Sequence, residues 1–431
     1  MNDGSPTTDH RPPSANGRSP IPDPRSPIPE RRLLGLFDFC KGLAIVGVVL
    51  VHALHGWFGW QGVHVFIVLS GFGLWRSRRT ARATQSWRQW FLRRAERILP
   101  TYWLIALCGY GLVLGAQSLG LAWPGITVEH PTTNLLLDLS LLRNLSYRGM
   151  FGYPNASLWY VPLIVGCYAA FPLLTTLVLR QRTRADLLRL LLAGLAIEGL
   201  CRAVALYALD GMPVGYGHGF WPGLPRLDAR RDLLPASFPF QLWAPFGLFL
   251  TRIGEFLAGM IAAELFVRDE SRVTGALLGP GAALAGLLIW LGGNALLYVG
   301  LWGWIMADAL IALGLTLTLL NLAALTRHAL RRLFRGVEAC GRWSQALFLT
   351  HLMVMYVYAV SYPRIAGGSP WLTALLLVLT ALAIGAACWL LRRFERSRWP
   401  GRIIRVTIGK LWIDTTKDRP VETSQSLRPG S

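Results

Sequence analysis

The chain has 431 residues, 53% of them hydrophobic and only 15% charged, whereas soluble domains carry about 25% charge. Its net charge is +20, yet the cations stand in short clusters between apolar runs, a pattern that sets aside a nucleic-acid partner in favour of membrane topology. Six cysteines without a Cys-x-x-Cys pair suggest neither a zinc site nor a disulfide framework, so no metal is expected.

In chain order, residues 1–32 are rich in Pro, Ser, Asp and Arg and hold no apolar core. They predict a disordered cytoplasmic tail rather than a secretory signal. A helix needs about 20 residues to cross the hydrocarbon core, and the apolar runs supply about ten such spans. These are roughly 36–56, 60–76, 99–118, 157–179, 187–209, 243–266, 275–297, 301–324, 343–362 and 370–391. The stretch Leu135–Leu145 is too short to cross and is expected to lie at the surface or to re-enter. Residues 33–392 thus read as one membrane domain, followed by a basic cytoplasmic tail over 393–431.

On this map 34 of the 43 Lys and Arg fall on one side, six on the other and three inside spans. The positive-inside rule then places both termini in the cytoplasm. The expected fold class is all-α, a polytopic integral membrane bundle of about ten helices. The two long outer loops, 119–156 and 210–242, mix aromatic and polar residues, which suits sugar contacts as well as an interfacial aromatic belt.

A charge at membrane depth costs at least ~2.5–3.5 kcal/mol, so each one needs a reason. The first span is the richest, with Asp38, Lys41, His52 and His55. Lys41 and His52 lie 11 residues apart, hence only ~20° apart around the helix and ~16 Å apart along it. Asp38 precedes Lys41 by one turn and can pair with it. One helix face therefore carries a cation at the entrance and a deeper imidazole suited to act as a general base. The alternative is a snorkelling Asp38–Lys41 pair, with His52 bonded to another helix. Further candidates at depth are His64, Glu255, Asp308, Glu338 and His351, with the opposite-charge pairs Glu198–Arg202 and Arg252–Glu255. Before the third span, Arg94 and Arg97 share a helix face and could clamp phosphate, or contact anionic lipid.

Several ordered blocks resemble the acyltransferase 3 family of bacterial membrane acyltransferases. FDFCKGLAIVGVVLVHA (Phe37–Ala53), GVHVFIVLSGFGLW (Gly62–Trp75) and FLRRAERILPTYW (Phe91–Trp103) carry the resemblance. SLWYVPLIVGCYAAFPLL with Trp159, RIGEFLAGM and CGRWSQALFLTHL add weaker matches. The resemblance implies an O-acyltransferase in the bacterial cytoplasmic (inner) membrane. It would move an acyl group, typically acetyl, from acyl-CoA to a hydroxyl of a carbohydrate or glycolipid acceptor. It implies His52 as the catalytic residue with Lys41 and Asp38 beside it, and Arg94 and Arg97 near the CoA phosphates. Three departures stand out: Lys41 where Arg is commoner, His64 where Asp is frequent, and Ile164–Val165 where many members carry Glu. Glu255 or Asp308 would be substitutes for that missing acid. The rival readings are a transporter or flippase for a lipid-linked glycan, and a non-catalytic scaffold.

Overall fold

Apolar segments that must satisfy their own backbone N–H and C=O groups in lipid have to be helical, and all regular structure among the described residues of the computed structural model is helix. The structure describes residues 30–54, 58–80, 86–119, 130–145, 154–207, 247–366 and 369–407. Residues 1–29 of the expected N-terminal tail, His55, the 210–242 loop, residues 120–129 and 146–153 of the other long loop, and residues 408–431 of the expected C-terminal tail lie outside them.

The helices are α1 (Glu30–Leu54), α2 (Gly62–Thr80), α3 (Trp87–Ser118), α4 (Pro131–Leu139), α5 (Tyr160–Arg180), α6 (Arg184–Tyr207) and α7 (Ile253–Arg268). They continue as α8 (Glu270–Leu277), α9 (Pro280–Val299), α10 (Ala307–Ala329), α11 (Arg331–Arg342), α12 (Ser344–Ala366), α13 (Pro370–Glu395) and α14 (Trp399–Thr407). Among the described residues seven stretches are long and apolar enough to cross a bilayer; they lie on α1, α3, α5, α6, α9, α10 and α13. The other three expected spans fall on α2, α7 and α12. Arginines end α2 at Arg78 and Arg79, Glu255, Glu264 and Arg268 punctuate the 16-residue α7, and the apolar part of α12 is Ser344–Val357.

Polarity on α2 and α7 does not put them at the periphery. Twelve of the 19 residues of α2 and twelve of the 16 of α7 are buried, so these two helices sit at the centre. By contrast only 22% of the apolar windows on α9 and α13 is buried, which leaves those helices facing outward. The α2–α7 contact needs glycine on both sides. A Cβ on Gly71 would strike the Phe256 carbonyl, and one on Gly259 the Val68 carbonyl. Close backbone approach through small residues is the usual way helices associate in lipid. The same device seats α1 against α11, where Gly42 abuts the Val337 carbonyl and Gly341 the Asp38 carbonyl.

Ser86 caps α3, its hydroxyl accepting from Gln89 N at 3.3 Å. The helix therefore begins well before the apolar span at 99–118 and carries Arg94 and Arg97 as part of its body. At the same end, Asp269 caps α8, and the hydrogen bond from Arg272 N holds its carboxyl below the usual carboxylate range. The segment after α3 re-enters the bundle. Trp103 Nε1, midway along α3, donates to the Leu139 carbonyl at 3.0 Å, and buried Asp138 meets Tyr110 at 3.1 Å and Arg143 at 2.8 Å. The expected basic tail opens with a helix, α14, which packs on α3.

Candidate active site

At the end of the bundle where most arginines collect, α1, α2, α3, α5, α11, α12 and α13 enclose a cavity of about 630 Å³, within the range of ligand sites. Its wall includes Asp38, Lys41, Arg94, Arg97, Arg342 and Arg392. Lys41 Nζ donates to Asp38 Oδ1 at 3.4 Å, and Arg342 pairs with Glu338 at 3.0 Å. Five cations thus surround a mouth lined by two carboxylates, Asp38 and Glu395, a field that attracts polyanions. Arg94 and Arg97 reach it because they lie one turn apart on α3, and the glycine contacts of α1 bring Lys41 in beside Arg342.

Deeper in, the wall becomes aromatic. Phe66, Tyr160 and Phe348 form a layer with ring centroids 6.2 Å and 5.2 Å apart along the chain of contacts. The Phe348 ring in turn lies 6.1 Å from that of His351. His351, buried on α12, donates from Nδ1 to the Leu347 carbonyl at 2.8 Å, which leaves its Nε2 an acceptor. That Nε2 is 3.3 Å from His52 Nδ1, which also donates to the Val48 carbonyl at 2.7 Å. The two bonds put the His52 proton on Nδ1 and its lone pair on Nε2, the form a general base requires. His52 is exposed at the end of α1 opposite the cavity mouth, so the histidine pair and the basic mouth open toward different ends of the bundle.

Behind α2 lies a second polar group, in which no residue is more than 1% exposed. His64 Nδ1 sits 3.0 Å from Glu255 Oε1. Arg252 bonds Glu255 at 3.0 Å and Asp308 at 2.6 Å, and Arg202 bonds Asp308 at 2.8 Å and the Trp304 carbonyl at 2.9 Å. Glu198 and Arg202, the i,i+4 pair expected on α6, also take partners beyond their own helix. Glu198 Oε2 accepts from Gly254 N at 2.9 Å and Glu255 N at 3.3 Å, capping α7, whose Arg252 offers no side-chain cap. Orphan N–H groups at a helix start need such an acceptor. Three carboxylates then face two guanidiniums.

The expected site residues therefore divide into three places. Asp38, Lys41, Arg94 and Arg97 share the cavity, and His52 and His351 pair beyond its aromatic floor. Glu255 and Asp308 belong to the buried cluster and are not part of the cavity wall, so neither substitutes there for the acid replaced by Ile164, whose side chain does line it. Trp159 stands on the turn before α5, its carbonyl accepting from Asn144 Nδ2 at 2.8 Å. Sequence reasoning missed Arg342 and Arg392, which it counted only as topology charges, and Tyr160, whose position beside Trp159 is the one available signal.

Fold and site together define a multi-pass helical membrane protein with a basic-mouthed internal cavity. The chain belongs to the acyltransferase 3 family: the family's acyltransferase domain matches residues 35–392, which takes in every helix from α2 to α12 and most of α1 and α13. The protein is by family a membrane acyltransferase. Comparison with curated proteins and with solved structures gives no match.

Proposed function

We propose that the protein transfers an acyl group, acetyl in the simplest case, from cytoplasmic acyl-CoA to a hydroxyl of a carbohydrate or glycolipid acceptor at a bacterial cytoplasmic membrane. The observation that carries this reading is the gathering of Lys41, Arg94 and Arg97 around one cavity whose floor abuts the His52–His351 pair. The positive-inside rule puts that basic mouth on the cytoplasmic side, where acyl-CoA is made available.

The guanidiniums of Arg94 and Arg97 suit the CoA phosphates, since planar forks bind phosphate oxygens bidentately. Lys41 adds charge and Asp38 orients it. The ~16 Å between Lys41 and His52 along α1 is of the order of an extended pantetheine arm. At the far end of that arm the acceptor oxygen attacks the thioester carbonyl carbon while His52 Nε2 takes the hydroxyl proton. The C–S bond breaks, and the departing CoA thiolate takes a proton back from His52. The exposed face of His52 at the opposite end admits an acceptor that does not share the donor's entrance.

The test is label transfer. Protein in nanodiscs receives radiolabelled acetyl-CoA and a membrane-glycan extract, and wild type is compared with His52→Ala and with Arg94→Ala/Arg97→Ala. Transfer by wild type that disappears in folded His52→Ala supports the reading. If a folded wild-type sample moves no acyl group from any of several acyl-CoA donors, the reading fails, and the flippase becomes the better account.

A further inference from the structure

Beside the main cavity lies a second one of about 600 Å³, lined by Trp343, Trp389, Arg392, Arg393, Arg396 and Ser397. The two share Arg392 as a common wall. The Arg392 guanidinium lies 5.2 Å from the Trp343 ring centroid, and that of Arg393 lies 5.5 Å from the Trp389 centroid. Arg392 Nη1 donates to the Arg342 carbonyl. Its Nε is buried and, among the described residues, has no hydrogen-bond partner; the same is true of Glu395 Oε1 on the next turn. Both residues face the main cavity. Buried polar atoms in this state cost about 1–3 kcal/mol each unless something bonds them, and here one is a charged donor and the other an acceptor.

A ligand that satisfies this wall must bring anionic oxygens for three guanidiniums, a flat ring for indole, and an N–H or O–H for Glu395. A phospholipid headgroup supplies phosphate oxygens and an N–H or O–H but no flat ring; a phosphorylated purine nucleoside supplies all three. We propose that the second cavity is a nucleotide subsite, in which a purine stacks on Trp343 and a ribose phosphate binds Arg392, Arg393 and Arg396. This deepens the proposed function and rests on it: the 3′-phosphoadenosine end of acyl-CoA occupies the subsite, its diphosphate lies between Arg392 and the Arg94–Arg97 pair in the main cavity, and its pantetheine arm runs deeper from there. Discrimination for the whole coenzyme over its thioester arm then resides on α12 and α13, outside the Arg94–Arg97 pair.

The experiment compares acetyl-CoA, acetyl-dephospho-CoA and acetyl-pantetheine as donors for full-length protein in neutral-lipid nanodiscs. The variants are Arg393→Ala/Arg396→Ala, Trp343→Ala and Trp343→Phe. The expected result is that the kcat/KM preference for acetyl-CoA over acetyl-pantetheine falls about tenfold or more in the first two variants and is kept by Trp343→Phe. Adenosine 3′,5′-bisphosphate competes with acetyl-CoA in wild type and loses potency in Arg393→Ala/Arg396→Ala. A variant that slows both donors equally marks a structural role and overturns the subsite, as does an unchanged preference. If phosphatidylglycerol in the nanodisc weakens acetyl-CoA use through these arginines while the bisphosphate does not compete, the occupant is lipid and the proposal falls. Wild type that uses acetyl-pantetheine and acetyl-CoA alike refutes the subsite alone; wild type that uses no acyl-CoA at all refutes the donor reading beneath it.

Discussion

His52 Nδ1 and His351 Nε2 stand 3.3 Å apart although 299 residues separate them in the chain. One imidazole is exposed and the other fully buried, and the buried one is anchored to its own helix by the bond to Leu347. The pair therefore works as a mount: His351 holds the ring of His52 in one tautomer and one orientation. His52→Ala is expected to lower acyl transfer by about 10²–10⁴-fold, the usual worth of a general base. His351→Ala should lower it less, with acyl-CoA binding retained in both. Single-turnover assays alongside equilibrium binding separate the two effects; a His52→Ala protein with wild-type turnover would remove the assignment.

Arg94 and Arg97 are expected to act on binding rather than chemistry. Each charge-assisted bond to phosphate contributes about 1.5–3 kcal/mol, so each Arg→Ala change should raise KM for acyl-CoA by about tenfold or more with a smaller change in kcat. Arg→Lys at either position should recover only part, because the ammonium cannot form the fork. Steady-state kinetics over donor concentration decide this, and a loss confined to kcat would contradict it.

Phe66, Tyr160 and Phe348 line the cavity in one layer, and the Phe348 ring lies 6.1 Å from that of His351, so on the proposed reading the thioester approaches the histidines beside Phe348. Phe348→Trp, which enlarges the ring beside His351, is expected to depress kcat while acyl-CoA still binds. Phe348→Ala should widen the passage and raise turnover of longer acyl chains relative to acetyl. A panel of acyl-CoA chain lengths measures both. Equal effects on all chains would show that the layer is packing alone.

Arg252 bonds Glu255 and Asp308 together, and the His64 ring lies against the same two carboxylates. Arg252→Ala leaves buried carboxylates short of a partner and should cost about 3–5 kcal/mol of stability, seen as a lower melting temperature in detergent. His64→Asp is the sharper case. It restores the residue type frequent in the family, yet here it would set a fourth carboxylate close to Glu255, which now lies 3.0 Å from the imidazole. We expect His64→Asp to be less stable than His64→Asn. A more stable Asp variant would mean that the cluster repacks around a different charge balance.

The membrane class, the positions of most helices and the residues on α1 were legible from the sequence because those properties are local. Hydrophobicity over about 20 residues defines a span, helical periodicity places Lys41 and His52 on one face, and charge clustering sets sidedness. What the tertiary structure decided was partnership. The sequence offers Arg202 a neighbour at Glu198, but packing of α6 against α7 and against the turn that precedes α10 gives each a further partner, and only the glycine-mediated approach of α2 and α7 sets His64 opposite Glu255. Arg342 and Arg392 look like ordinary topology charges until α11 and α13 carry them into the cavity beside Arg94. His351 becomes the mount of His52 only because α12 packs on α1. A pattern within one helix fixes a face and a depth; which helix that face meets depends on contacts between residues hundreds of positions apart, and no local pattern encodes those.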